Sequence, residues 1–418
     1  MLRFLRPVLF VCGILVLIMA GLMLSVAVFA WWRQDPEMQV FLTSFAVTLG
    51  CGLAMVLGCR DKGFHLVSRQ LYLLTSLSWV LLSLFGALPL FFSHFQLSAE
   101  DAVFEAVSGI TTTGSTILSG IEHLAPSLLL WRSLLQWIGG LGVIGMAVSI
   151  LPFLRVGGMR LFHTESSDWS DKSIPRVQSL ARMLVATYLG LTVSCVFSYW
   201  LAGMNLFDAI NHAMATVSTG GFATDDRSMG RFPLEVLWVS ILFMTLSALP
   251  FTLLIAFFRR PSLHVLNNQQ VIGFLCIIGA VSLLLTADLI DLHLAEPFEA
   301  FTQATFNLVS VITTTGFASA DYTQWGTFSI ALFFVVMFIG GCSGSTSGGM
   351  KVFRFQLSYL FLRTQVRKLI HPNGVFVTQY NGRPVQDDII LSAVAFSFLF
   401  FMTLGVVTLL LALMGLDL

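Results

Sequence analysis

The chain has 418 residues, of which 56% are hydrophobic and only 11% charged, against roughly 25% charged in soluble domains. That composition excludes a soluble globular protein, and the balance of 22 basic and 22 acidic residues leaves no single-signed surface for nucleic acid. Six cysteines with no CxxC pair and eight scattered histidines with no HExxH pattern suggest neither a disulfide framework nor a transition-metal site, and no nucleophile–base constellation marks an enzyme.

A membrane helix needs about 20 predominantly apolar residues. In chain order, nine segments are predicted to cross: 7–32, 40–59, 71–92, 127–154, 180–201, 234–258, 271–290, 328–341 continuing towards 361, and 389–416. The first is too long for a signal peptide and reads as a retained helix. Three further stretches, near 101–116, 207–222 and 298–317, are helix-like but too short or too polar to span. Cytoplasmic loops are enriched in Lys and Arg. With the N-terminus inside, the inner loops hold every basic residue except Arg33, Arg132, Arg227 and Arg231, while acids such as Glu100, Glu105, Asp208, Asp225 and Asp321 fall outside. The three short stretches then lie on the outer side.

Those stretches repeat. "VSGITTTGSTIL" (107–118), "ATVSTGGFATDD" (215–226) and "VSVITTTGFASADY" (309–322) superimpose on a glycine. Thr112, Thr113 and Gly114 then match Ser218, Thr219 and Gly220, and Thr314, Thr315 and Gly316. Phe104-Glu105, Ile210-Asn211 and Phe306-Asn307 stand at a common distance before the glycine, and Ile138-Gly139-Gly140 lies about as far beyond Gly114 as Ile339-Gly340-Gly341 beyond Gly316. The unit is apolar helix, short outer helix, hydroxyl–glycine turn, apolar helix. A short helix entering from outside aims the negative end of its dipole at the membrane centre. Carbonyls and threonine hydroxyls are oxygen ligands suited to replacing the hydration shell of an alkali cation, and glycine lets a carbonyl point where a residue with a Cβ would be strained. The blander alternative is that small residues mediate close helix packing; three copies in register favour an ion filter.

At these residues the sequence resembles the Trk/Ktr/HKT superfamily of potassium transporters, and closely the membrane subunit of bacterial Trk potassium uptake systems. The motifs are "SGITTTGST", "STGGF", "ITTTGFASADYTQW", "QWIGGLGVIG", "LRVGGMRLFHTESSD" and "GGCSGSTSGGMKVFR". The resemblance implies an all-α polytopic membrane protein with helix–pore loop–helix units in pseudo-fourfold arrangement around a central pore. It divides the chain into two leading helices (1–69), repeat 1 (70–178), repeat 2 (179–268), repeat 3 (269–385) and the first helix of a fourth repeat (386–418). It implies potassium uptake across the bacterial inner membrane, with the nine matched residues facing the ion. No covalent cofactor is implied; membrane lipid, a second copy of the chain and a cytosolic nucleotide-binding regulatory ring are the implied partners. In related plant proteins a serine at the first filter glycine goes with sodium transport, so glycine at 114, 220 and 316 leans towards potassium. A secondary transporter of another monovalent cation, sodium or proton-coupled, is the alternative; it would show inverted repeats and mid-span charges, whereas this chain has same-direction repeats and almost no mid-span charges. Only three of the family's four pore loops are present, and a sequence truncated relative to a functional transporter is expected.

"GGCSGSTSGGMK" (340–351) lacks the GxxxxGK[ST] spacing of a phosphate-binding loop. A break at membrane depth is tolerated where it lines a cavity, and the resemblance implies an intramembrane gate built on Gly340, Gly341, Gly344, Gly348 and Gly349; a simple helix kink is the alternative. Arg132 is expected to pair with Glu105 or Glu122, Asp321 to attract cations or cap the following turn, Asp288 and Asp291 to be solvated, and Arg363, Arg367 and Lys368 to set orientation or dock a cytosolic partner.

Overall fold

The structure is a computed structural model describing residues 2–60, 67–149, 174–259 and 267–415. Among these, seven helices are long and apolar enough to cross a membrane, or eight if one bent pair is counted as a single span. The basic residues Lys62, Arg155, Arg160, Lys172 and Arg260, the acid Asp417 and the "LRVGGMRLFHTESSD" motif lie outside the described residues.

Helices α1 (Leu2–Arg33) and α2 (Met38–Cys59) form a leading antiparallel pair. Val8, Cys12, Val16, Met19 and Met23 recur every three or four residues on α1 and are all buried, the spacing of one helical face. Small residues bring the two backbones close: a Cβ on Gly52 would lie 2.8 Å from the Leu17 side chain and 3.3 Å from its backbone N, the close approach that glycine permits.

A second group holds α3 (Ser68–Gly86), the one-turn α4 (Leu88–Phe91), the short α5 (Ala99–Ile110) and α6 (Pro126–Ser149). A third holds α7 (Ile174–Leu201), the short α8 (Leu206–Val217), α9 (Leu234–Ser247) and α10 (Phe251–Arg259). A fourth holds α11 (Gln269–Asp291), the short α12 (Pro297–Ile312), α13 (Thr327–Val336) and α14 (Val352–Ile370), followed by α15 (Asp387–Leu413). The element order long helix, short helix, turn, second helix therefore occurs three times.

The second helices differ in a way that hydropathy did not reveal. Helix α6 runs unbroken through Gly139 and Gly140. The expected single span 234–258 instead bends by 99° between α9 and α10, where Pro250 removes a backbone donor. The expected helix from 328 towards 361 stops at Val336, and residues 337–351 form a loop closed by a parallel pairing of β1 (Ile339–Gly340) with β2 (Met350–Lys351). A small antiparallel hairpin, β3 (Gln379–Tyr380) with β4 (Arg383–Pro384), turns on Asn381 and Gly382 at φ +49° and +74°, as an Asn-Gly turn requires. Asn381 Oδ1 caps the start of α11 by accepting from Gln269 N at 2.9 Å.

Candidate functional site

Each short helix starts at a polar cap or proline. Ser98 Oγ accepts from Asp101 N and Asn205 Oδ1 from Asp208 N, while Pro297 opens α12. Each ends in the same way. The N–H groups of Thr112 and Thr113 donate to the carbonyls of Gly109 and Ser108; Thr219 and Gly220 donate to Thr216 and Ala215; Thr314 and Thr315 donate to Val311 and Ser310. This paired closure leaves its first residue left-handed and usually selects glycine there. Here it is threonine each time, with φ +55°, +53° and +56° at Thr112, Thr219 and Thr314. A β-branched residue in that region is strained, and the strain recurs at three equivalent places.

The left-handed threonine is followed two residues later by a left-handed glycine: Gly114, Gly221 and Gly316, with φ +81°, +81° and +88°. The structural match is thus Thr112-Thr113-Gly114 with Thr219-Gly220-Gly221 and Thr314-Thr315-Gly316. The sequence alignment placed Gly220 opposite Gly114 and was out of register by one residue in the second turn. Two adjacent glycines made the choice ambiguous, and the helix-end hydrogen bonds resolve it. Ser218 is the last residue before the turn, equivalent to Thr111 and Thr313.

The three turns meet. A Cβ on Gly114 would stand 2.2 Å from the Gly220 carbonyl oxygen and 3.5 Å from that of Thr315; one on Gly221 would stand 1.9 Å from the Thr315 oxygen. Of the nine expected residues, Gly114, Gly220 and Thr315 are thus brought together, with Gly221 added. Ser218, Thr219, Gly220 and Thr315 are buried, whereas Thr113 is exposed. Hydroxyls knit the backbone locally: Thr111 and Thr113 share a hydrogen bond at 2.7 Å, as do Thr313 and Thr315. Such crowding of carbonyl and hydroxyl oxygens offers hard ligands to a dehydrated monovalent cation.

Behind the first turn, Glu105 is fully buried and takes hydrogen bonds from Thr116 Oγ1 at 3.0 Å and Arg132 Nε at 2.8 Å. Arg132 also donates to the Ala223 carbonyl at 3.2 Å and lies over the Phe222 ring, joining the first turn to the second. Of the two expected partners it takes Glu105, which is not a mouth acid but part of the support. Asn307 holds the third turn through Ser319 N and Oγ, and His212, not Asn211, occupies the corresponding place in the second. Asp208 and Asp225 are likewise committed, paired with Arg231, and Asp226 accepts from Gly120 N and Ile121 N. Asp321 adopts the capping alternative, accepting from Thr323 N and Gln324 Nε2. These bonds to Thr323 and Gln324 hold its carboxyl below the ordinary aspartate range. Asp288, expected to be solvated, accepts from Ser329 Oγ at 2.7 Å.

The chain matches the TrkH family of cation transport proteins over residues 37–289 and 277–416. It is 47% identical over 413 residues to the Trk system potassium uptake protein TrkI of Halomonas elongata, covering 98% of this chain and 84% of that one. To the Trk system potassium uptake protein TrkH of Escherichia coli K12 it is 35% identical, covering 92% and 81%. The chain belongs to the TrkH family. The crystal structure of the potassium transporter TrkH from Vibrio parahaemolyticus superimposes with a TM-score of 0.91 at 34% identity, over 99% of this chain and 86% of that one.

In this TrkH-family chain the glycine-rich loop touches the first residue of the third turn, where Gly348 N donates to Thr314 Oγ1 at 2.6 Å. It also fills the break between α9 and α10. Cys342 N donates to the Ala248 carbonyl at 2.9 Å, Thr346 N and Oγ1 to the Ser247 carbonyl, and Phe251 N to the Gly344 carbonyl at 3.0 Å. Two interrupted helices thus satisfy each other's freed backbone groups, which membrane depth demands. Gly344 and Gly349 have φ +79° and +67°, whereas Gly340, Gly341 and Gly348 are needed for closeness: a Cβ on Gly340 would lie 2.2 Å from the Gly348 oxygen. Lys351 Nζ donates to the Ser347 carbonyl within the loop. Sequence reading did not single out Gly221, Ser247, Ala248 or Gln270, whose Oε1 accepts from Ser343 N. The Ser-Ala-Leu-Pro run at 247–250 was the available signal for the break.

Proposed function

We propose that this chain conducts potassium ions into a bacterial cell across the cytoplasmic membrane, through a filter formed by Thr112–Gly114, Thr219–Gly221 and Thr314–Gly316. The observation that carries this reading is the nesting of the three turns, in which the Gly220 and Thr315 carbonyls press on neighbouring glycines. The names of the relatives, Trk system potassium uptake proteins, support potassium as the transported substrate. The turns are arranged as successive walls of a pseudo-fourfold pore within the repeats 70–178, 179–268 and 269–385.

On the same reading the loop 340–351 is the gate: it lies on the inner side of Thr314 and is held by hydrogen bonds that a modest movement can exchange. The N-terminus is cytoplasmic, as the basic residues near it and at Arg363, Arg367 and Lys368 require. Those three lie near the exposed end of α14 and form a docking face for a cytosolic nucleotide-binding ring; a second copy of the chain completes the assembly. The test is growth of cells lacking potassium uptake in low-potassium medium. The chain is expected to restore growth and Gly114→Ser to fail, because its side chain would meet the Gly220 carbonyl. Absence of rescue by the unmodified chain, with the protein present in the membrane, overturns the reading.

A further inference from the structure

The three turns are not braced alike. In the first, Ser108 Oγ on the short helix donates to the Ser115 carbonyl at 2.5 Å; in the third, Ser310 Oγ donates to the Phe317 carbonyl at 2.6 Å. Each of these carbonyls follows the left-handed glycine directly. The second turn has Ala215 where the others have serine, and Gly220 where they have Thr113 and Thr315. It therefore lacks both the brace and the hydroxyl pair, although the same carbonyls converge there.

Gln136, fully buried on α6 of the preceding repeat, fills that gap. Its Nε2 donates to the Gly220 carbonyl at 2.6 Å and its Oε1 accepts from Phe222 N at 3.0 Å. The two bonds fix the amide's orientation, since a flipped group would set oxygen against oxygen. They straddle Gly221 and clamp the backbone on both sides of its left-handed conformation. A Cβ on Gly220 would lie 2.4 Å from Gln136 Cδ, so this glycine is there to admit the amide. Its φ is not positive, unlike that of Gly221.

We propose that Gln136 is a positioning residue for ion selectivity: reaching from the first repeat, it sets the direction of the Gly220 carbonyl and the spacing of the second wall from the axis. A carbonyl oxygen has two lone pairs; the bond to Gln136 uses one and leaves the other for the ion. Selectivity among alkali cations depends on the number and placement of such oxygens, so a wall free to relax would accommodate a smaller ion. The proposal rests on the potassium-uptake reading.

The experiment measures rubidium uptake by cells carrying the full chain, competed by potassium or by sodium, with membrane protein quantified by immunoblot. Gln136→Met keeps the volume and removes both hydrogen bonds. The potassium-over-sodium preference is expected to fall roughly tenfold, the equivalent of about 1.4 kcal/mol. Adding Ala215→Ser, which supplies the hydroxyl of the other repeats, is expected to recover most of it. A purely structural role would lower uptake of every ion together and leave the ratio unmoved. Should Gln136→Met fail to reach the membrane, Gln136→Asn, one methylene too short to bridge both groups, carries the same expectation. An unchanged ratio overturns the proposal, and so does a loss that Ala215→Ser does not repair. If the unmodified chain shows no potassium preference, the functional reading itself fails.

Discussion

Threonine at positive φ crowds its branched Cβ against the backbone, at a cost on the order of 1–3 kcal/mol, yet Thr112, Thr219 and Thr314 all adopt it. Glycine in their place would relieve the strain and lose the hydroxyls at the start of each turn; Thr314 uses its own to hold Gly348. The glycines that follow are constrained by neighbours as well as by dihedral angle. Gly221→Ala would press a methyl group on the Thr315 carbonyl, and loss of uptake together with a destabilisation of roughly 1–3 kcal/mol for overpacking is expected. Gly203→Ala is the comparison: φ there is +103° but nothing lies within 4 Å, so uptake should persist. Thermal unfolding in detergent and rubidium uptake check both. The Arg132–Glu105 pair belongs to this scale too. Arg132→Met strands a buried carboxylate at a cost of about 3–5 kcal/mol, and a sharply lowered unfolding temperature is expected. Adding Glu105→Gln should recover part of it, since the amide still accepts from Thr116.

Among the elements, the second helices show one task solved in three ways: continuous in α6, bent at Pro250, interrupted at the glycine-rich loop. The bend and the loop are mutually dependent, because Ala248, Ser247 and Phe251 find their partners in Cys342, Thr346 and Gly344. Alanine at Gly344, Gly348 and Gly349 together is expected to change flux, measured as rubidium uptake per transporter present in the membrane. Equal flux in the variant would make the loop a kink without a gating role. The segment following the second turn is pinned by Asp225. Burial opposes its ionisation, but the Arg227 N–H and the Arg231 and Arg227 guanidinium groups outweigh it and hold the carboxyl below its ordinary value of 3.8. A depressed folded value means that the contribution is present above the unfolded pKa and disappears as pH falls through the folded one. The unfolding temperature should therefore decline on acidification below about pH 4, with a shallower slope in Asp225→Asn.

For the whole molecule, the proposed conduit makes the membrane potential the driving force, about 2.3 kcal/mol per charge for each 100 mV. In proteoliposomes, rubidium uptake should rise with an imposed inside-negative potential and be indifferent to a proton uncoupler that leaves that potential clamped. Collapse of uptake in the uncoupler alone would favour proton coupling. The three turns nest against one another, two braced through their own short helices and the second through a neighbour. Such cross-repeat ties, Gln136 to Gly220 and Arg132 to Ala223, make the turns parts of one unit.

The membrane class, most of the spans, the family and the three hydroxyl–glycine turns were legible in sequence alone, because hydropathy and a repeated local pattern are properties of contiguous residues. Tertiary structure decided what depends on distant partners. Register in "STGG" needed the helix-end hydrogen bonds of Thr219 and Gly220. The bend at 248–250 became evident only with the loop that satisfies it, since apolar length cannot distinguish a straight helix from two broken ones. Sequence left Arg132 a choice of Glu105 or Glu122 and placed Asp208 only on the outer side; packing chose Glu105 and set Arg231 beside Asp208. Gln136 looked like one more residue of a spanning helix; its role is set by a turn 84 residues away, and no local pattern encodes that contact.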